Sequence, residues 1–218
     1  PNLILIFEAG GISPEASMLP LSVADSRTTY RATCCASMPA AMEMLQQGIV
    51  SYAFLGGAQI DQYGNLNSTI IGAEYYHPKT RLPGSGGANE AASFAWQTFI
   101  IMNHNRQRFV EKPDFITTPG YLDGPDARER AGLAPGTGPY MVFTELAVLD
   151  FEEESKRMRL KSLLPGVTQE KVIQETGFKL IIPEKITAEK KPTAEELRVL
   201  REEVDPWRVV LSRGDNKN

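Results

Sequence analysis

Leu3-Ile4-Leu5-Ile6-Phe7-Glu8-Ala9-Gly10-Gly11 stands near the head of this 218-residue chain, and its reading decides the fold. Five consecutive apolar residues, Ile4 and Ile6 β-branched, read as a strand buried on both faces, the pattern of a parallel sheet. The carboxyl ends of such strands line the ligand crevice of open α/β sheets, and Glu8 falls there. A carboxylate taken out of water costs free energy unless it is paired, so Glu8 has either a partner or a chemical task. The plain alternative is an acid that caps the next turn. Gly10 and Gly11 would let another backbone or a substrate approach closely. A parallel core strand normally has chain before it, and the first residue is Pro1 rather than Met. The reading therefore expects a preceding segment that was cut, processed or left out.

Working outward, Met38 to Gln47 reads as a short helix ended by Gly48. Tyr52 to Leu55 is a short strand that runs into Gly56-Gly57-Ala58-Gln59-Ile60-Asp61, and Tyr63-Gly64-Asn65 is a turn. Pro83 to Asn89 is a loop of small residues before a helix from Asn89 to Ala95, with Glu90 well placed in its first turn. Phe99 to Met102 and Phe115 to Thr118 read as buried strands. Tyr140 to Phe151 reads as one strand, turned back at Glu152 to Ser155 into a hairpin with Arg157 to Leu160. Two helices follow, Gln169 to Thr176 and Ala194 to Val204. Thr193 and Glu196 have the spacing of a capping box, and Leu197, Leu200 and Val204 line one face of the second helix. Pro183 to Pro192 is polar, Lys-rich and exposed. These expectations combine into an α/β fold: an open, mostly parallel sheet with flanking helices, then a C-terminal hairpin and helices.

The bulk numbers, 42% hydrophobic and 23% charged residues, fit one fairly large domain or at most two small ones, and the reading is a single domain across residues 1–218. A net charge of −4 with no basic stripe argues against nucleic acid. No apolar run is long enough to span a membrane. Cys34 and Cys35 are adjacent, a poor geometry for a disulfide with each other, so a reducing cytoplasm fits. Two histidines and no Cys/His spacing leave no metal site.

Three features carry chemistry: Glu8, the turn around Gln59, and the Gly84-Ser85-Gly86-Gly87-Ala88 loop before a helix. Backbone amides at a helix start stabilise an oxyanion, and a carboxylate beside such amides is set to attack a thioester or ester carbonyl. The loop is not a phosphate-binding P-loop, because no Gly-Lys-Ser/Thr follows, and not a dinucleotide fingerprint, because no strand runs directly into it. A tight turn near a sheet edge is its bland alternative. His77 reads as a loop hydrogen-bonder before an acid–base group, His104 as solvated, and Asp61 and Asp123 as turn formers. Ser85 has no His and Asp companions at a recognisable spacing.

The strings Gly56-Gly57-Ala58-Gln59-Ile60-Asp61, Tyr63-Gly64-Asn65, Asn67-Ser68-Thr69 and His77-Pro78-Lys79-Thr80-Arg81, leading to Gly84-Ser85-Gly86-Gly87-Ala88-Asn89, resemble the family I CoA-transferases. Within them the chain is most similar to β subunits of the glutaconate type. The likeness continues through Asp123-Gly124-Pro125, Arg128-Glu129-Arg130, Lys156-Arg157-Met158 and Thr176-Gly177-Phe178, and ends near Leu200 to Pro206. The resemblance implies Glu8 as the catalytic nucleophile, with Ala9 where the family carries Ser. It implies Gly86, Gly87 and Ala88 around the oxyanion or thioester, and Gln59 and Asn65 in the vicinity of substrate or CoA. It also implies a strand–helix unit ahead of Glu8, absent from this chain. The implied reaction moves CoA between an acyl-CoA and a dicarboxylic acid through a glutamyl-CoA thioester. A coenzyme A thioester is then a substrate, no cofactor is permanently bound, and a companion α subunit completes a hetero-oligomer. Relatives of this fold that hydrolyse or decarboxylate CoA thioesters, and a non-catalytic partner subunit, are the alternatives.

Overall fold

The computed structural model describes residues 3–16, 18–72 and 74–210; Pro1 lies outside them. The chain divides into two compact units, residues 1–44 with 191–218 and residues 45–190.

In the first unit, β1 (Gly11–Ile12) pairs antiparallel with β2 (Cys34–Cys35). Residues 3–7 are not the buried core strand expected. Leu3 and Ile4 are each 70% exposed, and Ile6 makes only an isolated bridge to Ile12. The run is the first arm of a tight hairpin: the amide of Gly10 donates to Phe7 O (2.8 Å), that of Phe7 to Gly11 O (2.9 Å) and that of Ser13 to Leu5 O (2.7 Å). Chain reversal through the two glycines carries the strand into local pairing instead of a parallel sheet. The helix α1 (Met38–Gln46) ends where expected, at Gly48 with φ +72°. At the far end of the chain, α5 (Ala194–Val199) has the capping box formed by Thr193 and Glu196. It continues as a π-helical turn through Val204. Its apolar face is only half-buried.

The second unit is built on a six-stranded sheet. Its strands are β3 (Tyr52–Leu55), β8 (Gln97–Ile101), β9 (Gly138–Phe143), β10 (Ala147–Phe151), β11 (Met158–Leu163) and β12 (Thr187–Ala188). They lie in the order β12-β11-β10-β9-β8-β3. The β3–β8, β8–β9 and β11–β12 pairs are parallel, and β9–β10–β11 is an antiparallel meander. The sheet is thus mixed, mostly parallel, and flanked by short helices, with the expected β10–β11 hairpin. Smaller ladders, β4 (Gln59–Ile60) with β5 (Leu66–Asn67) and β6 (Ile70–Ile71) with β7 (Thr80–Arg81), lie between β3 and β8 in sequence. The helices α2 (Ala88–Phe94), α3 (Ala127–Arg130) and α4 (Gln169–Glu175) complete the unit.

Three expectations change here. Residues 140–151 form two strands rather than one, because Thr144 makes a turn between them. Its Oγ1 accepts from the amides of Leu146 (3.1 Å) and Ala147 (2.9 Å) and donates to Ala147 O (2.9 Å). Residues 115–118 make only one bridge, Leu66↔Thr118, and Ile116 is exposed. The Lys-rich 183–192 stretch is largely exposed but contributes β12.

Ile60, Leu66, Ile100, Phe109, Val142, Leu149, Met158 and Leu160 form the core under one face of the sheet. The other face of β3, β8 and β9 is aromatic and half open. The Phe99 ring there stands 5.2–6.0 Å from the rings of Tyr52, Phe54, Tyr140 and Phe143, and Phe54 is 64% exposed. Phe99–Met102 is therefore buried only at alternate residues. His104, expected in solvent, is 3% exposed and stacks on Phe109 with centroids 3.9 Å apart. No helix among the described residues is long and apolar enough to cross a membrane.

Candidate active site

Glu8 lies in the first unit, half-buried, in the turn Phe7–Gly10. The two glycines after it are required by close backbone approach. A Cβ on Gly10, whose φ is +104°, would sit 1.9 Å from Ala36 O, and one on Gly11 would sit 1.8 Å from Thr28 O. Real Cβ atoms do not come so near. The amide of Ala36 in turn donates to Gly10 O at 2.8 Å. The carboxylate is thus carried on a tight reversal flanked on both sides by neighbouring backbone.

Gln59, Asn65 and Gly86–Ala88 lie in the second unit. The loop runs from Gly84, with φ +97°, through Gly86, with φ +50°, into α2, whose N-cap is Gly87. Its near end is tied down by Ser68: the Gly84 amide donates to Ser68 O (2.8 Å) and the Ser68 hydroxyl donates to Gly84 O (2.8 Å). The amide of Ala88 donates to Ser85 O at 3.0 Å. Inside α2, the Asn89 side-chain amide donates to Thr117 O at 3.0 Å.

Gln59 and Asn65 are both buried, at 7% and 1% exposure, and both bond within the protein. Gln59 donates to Asp114 Oδ2 (3.1 Å) and accepts from the Asp114 amide (2.9 Å) and from Asn67 Nδ2 (2.7 Å). Asn65 Oδ1 accepts from the amides of Gly120 (2.8 Å) and Leu122 (3.1 Å), and its Nδ2 donates to Asp61 Oδ2 (2.7 Å). Asp61 is a turn former, as expected: its Oδ1 accepts from the amides of Tyr63 (2.9 Å) and Asn65 (3.0 Å). Burial nevertheless pushes its carboxyl above the ordinary value, with the hydrogen bonds pulling the other way. The β4–β5 pairing sets Gln59 opposite Asn67, one residue before the Ser68 that anchors the loop. Gln59, Asn65 and the glycine loop therefore share one buried polar framework. Sequence reasoning named no role for Asn67, Ser68, Asp114 or Thr117. The available signal was a run of Asn, Ser, Thr and Gln alternating with apolar residues where a core would otherwise be purely apolar.

His77 and Asp123 are exposed, and Asp123 pairs with Arg130 at 3.4 Å. Among the described residues, no group of three His, Cys, Asp or Glu side chains is placed to hold a metal ion.

The family model for coenzyme A transferases matches residues 1–175. The chain belongs to the coenzyme A transferase family. It is 41% identical over 218 residues to the B subunit of glutaconate CoA-transferase from Acidaminococcus fermentans, covering 97% of this chain and 80% of that one. It is 40% identical over 202 residues to the B subunit of 3-oxoadipate CoA-transferase from Pseudomonas knackmussii, covering 92% and 77%. The crystal structure of the Acidaminococcus fermentans glutaconate coenzyme A-transferase superposes with a TM-score of 0.87 at 40% identity, covering 94% of this chain and 79% of that chain. The resemblance expected from the loop and turn motifs thus holds over nearly the whole chain.

Proposed function

We propose that this coenzyme A transferase chain moves CoA between an acyl-CoA and a dicarboxylic acid, with Glu8 as nucleophile. The observation that supports the proposal is the Phe7–Gly10 turn, which carries one carboxylate on a hydrogen-bonded reversal packed so closely that neither Gly10 nor Gly11 has room for a Cβ.

In the proposed reaction the Glu8 carboxylate attacks the donor thioester carbonyl. The C–S bond breaks, leaving an acyl-glutamyl anhydride and CoA thiolate. The thiolate then attacks the glutamyl carbonyl, releasing the donor acid and leaving a glutamyl-CoA thioester. The acceptor carboxylate attacks that thioester, and the freed thiolate takes the acceptor's acyl group and restores Glu8. A carboxylate is the suitable nucleophile because the anhydride stays reactive enough to exchange. Each tetrahedral oxyanion needs fixed N–H donors; we assign the Gly86–Ala88 loop to the oxyanion or thioester pocket, with the Ala88 amide itself spent on Ser85 O. Gln59 and Asn65 act from behind, as members of the framework that holds the loop. Water must be kept out, since the anhydride hydrolyses.

A companion α subunit completes the enzyme, in line with the relatives, each of which is named as one subunit of its transferase. Coenzyme A enters as a thioester substrate and no cofactor stays bound. The reaction draws on the CoA pool of the cytoplasm, where Cys34 and Cys35, both free and exposed, stay reduced. The test is exchange by the complete two-subunit enzyme with acetyl-CoA as donor and a panel of dicarboxylates as acceptors. The proposal expects dicarboxyl-CoA to form only when an acceptor is present. Thiol release independent of the acceptor would assign the chain to hydrolysis instead.

A further inference from the structure

Arg128 carries a charge into the interior with no carboxylate among its hydrogen-bond partners in the described residues. It sits in α3 at 4% exposure. Its Nη1 donates to Pro119 O (3.1 Å) and Gly120 O (2.9 Å). Its Nη2 donates to Ala92 O (3.0 Å), Ser93 O (3.4 Å) and Thr137 Oγ1 (3.1 Å). Burial lowers its pKa to about 10. A buried ion contributes little to stability alone, since apolar groups of similar volume often stabilise as well or better. A guanidinium does what an apolar group does not: its flat fork of donors fixes the direction of several carbonyls at once.

The carbonyls it fixes are informative. Ala92 and Ser93 lie in the last turn of α2, where helix carbonyls lack intrahelical partners. The opposite end of the same seven-residue helix is Gly87. Gly120, the third contact, also donates its amide to Asn65 Oδ1. A Cβ on Gly120 would sit 2.3 Å from Tyr63 O, so this segment is wedged against the Tyr63–Asn65 turn. The glycine loop is therefore suspended from Ser68 at one end, from Thr117 through Asn89 within the helix, and from Arg128 at the far end.

We propose that Arg128 is a positioning residue for transfer: by pinning the carbonyl end of α2 to the 119–120 segment, it fixes where Gly86–Ala88 present their backbone. This rests on the reading of that loop as the oxyanion site. The measurements use the complete two-subunit enzyme with Arg128→Lys and Arg128→Met. Arg128→Met should lower kcat per active site by about 10²-fold, the scale expected when a catalytic group is misplaced by ~1 Å, with KM for acyl-CoA little changed. Arg128→Lys keeps the charge and some donors and should recover part of that loss. Amide hydrogen exchange across 84–91 should speed up at least about tenfold in both variants, while exchange in β9–β11 stays as in the wild type. Unchanged exchange over 84–91 in a folded variant overturns the proposal, as does Arg128→Lys with wild-type kcat and exchange. If Arg128→Met fails to fold, Arg128→Lys decides alone. The exchange measurement does not depend on turnover. A wild-type enzyme without CoA transfer would thus sink the functional reading, while the exchange rates still judge Arg128.

Discussion

Protonation of His104 should set the acid limit of the second unit's stability. Its ring is buried against Phe109, with Nδ1 3.2 Å from Thr144 Oγ1 and Nε2 3.0 Å from Thr176 Oγ1. Both hydroxyls already donate elsewhere, Thr144 to Ala147 O (2.9 Å) and Thr176 to Val172 O (2.7 Å). A neutral ring has one N–H, so one hydroxyl must turn its proton toward the ring; a charged ring would suit both oxygens but must be held out of water. Burial dominates and lowers the pKa from 6.5 to about 4, with Glu175 pulling weakly upward. The unfolded chain therefore takes up a proton below 6.5 that the folded chain refuses until about 4. This contribution is intact above 6.5 and declines as pH falls through that window. At about 1.4 kcal/mol per pH decade, the loss is about 2 kcal/mol at pH 5 and about 3 kcal/mol below pH 4. The perturbation is His104→Gln, which removes the titration. The assay is urea unfolding at pH 7.5 and pH 5 for both proteins, so that other carboxylates cancel in the difference. NMR titration in a His77→Gln background, where His104 is the sole imidazole, reads the pKa directly. A ring that titrates at or above 6.5, or an equal pH dependence in His104→Gln, would show that the hydroxyl pair holds a cation and refute the reasoning.

Two further outcomes follow from the candidate site. Gly10→Ala places a methyl 1.9 Å from Ala36 O at φ +104°, which should cost on the order of 3 kcal/mol from strained backbone and overlap. A loss of CoA transfer should accompany it; an unchanged urea midpoint would contradict the locked turn. Gly87 has φ −83° and ψ 7°, a conformation that needs no positive φ, so Gly87→Val should lower its thermal midpoint only modestly yet lose about 10²-fold in kcat. Full activity in that variant would make the loop a turn and nothing more.

Several elements were legible because their signals are local. Gly48 stops α1, Gly64 with φ +75° makes the expected turn, and α2 begins where the small-residue loop ends. The misses have common physical causes. An apolar run before Gly-Gly looks alike whether it becomes a parallel core strand or a hairpin arm, and Leu3–Phe7 became the arm. The break between β9 and β10 is made by one threonine hydroxyl, with neither Gly nor Pro to mark it. At the site, Asp61 and the glycine loop were visible as turn chemistry. The framework behind them was not, because Gln59, Asn67 and Asp114 meet only across strands and loops. Arg128 gives no periodic signal at all; its importance arises from two carbonyl-bearing segments and the Thr137 hydroxyl, which converge in space.

The covalent role of Glu8 is the claim on which the functional account stands, and one trapping measurement addresses it. The complete two-subunit enzyme is incubated with acyl-CoA and no acceptor, then treated with borohydride, and the peptide spanning Glu8 is examined by mass spectrometry. The account predicts a glutamyl-CoA thioester on Glu8 before reduction and the corresponding alcohol after it. Inactivation should occur only when acyl-CoA was added first, and Glu8→Gln should give neither adduct nor transfer. An unmodified Glu8 peptide in an active enzyme, with transfer surviving in Glu8→Gln, would contradict it.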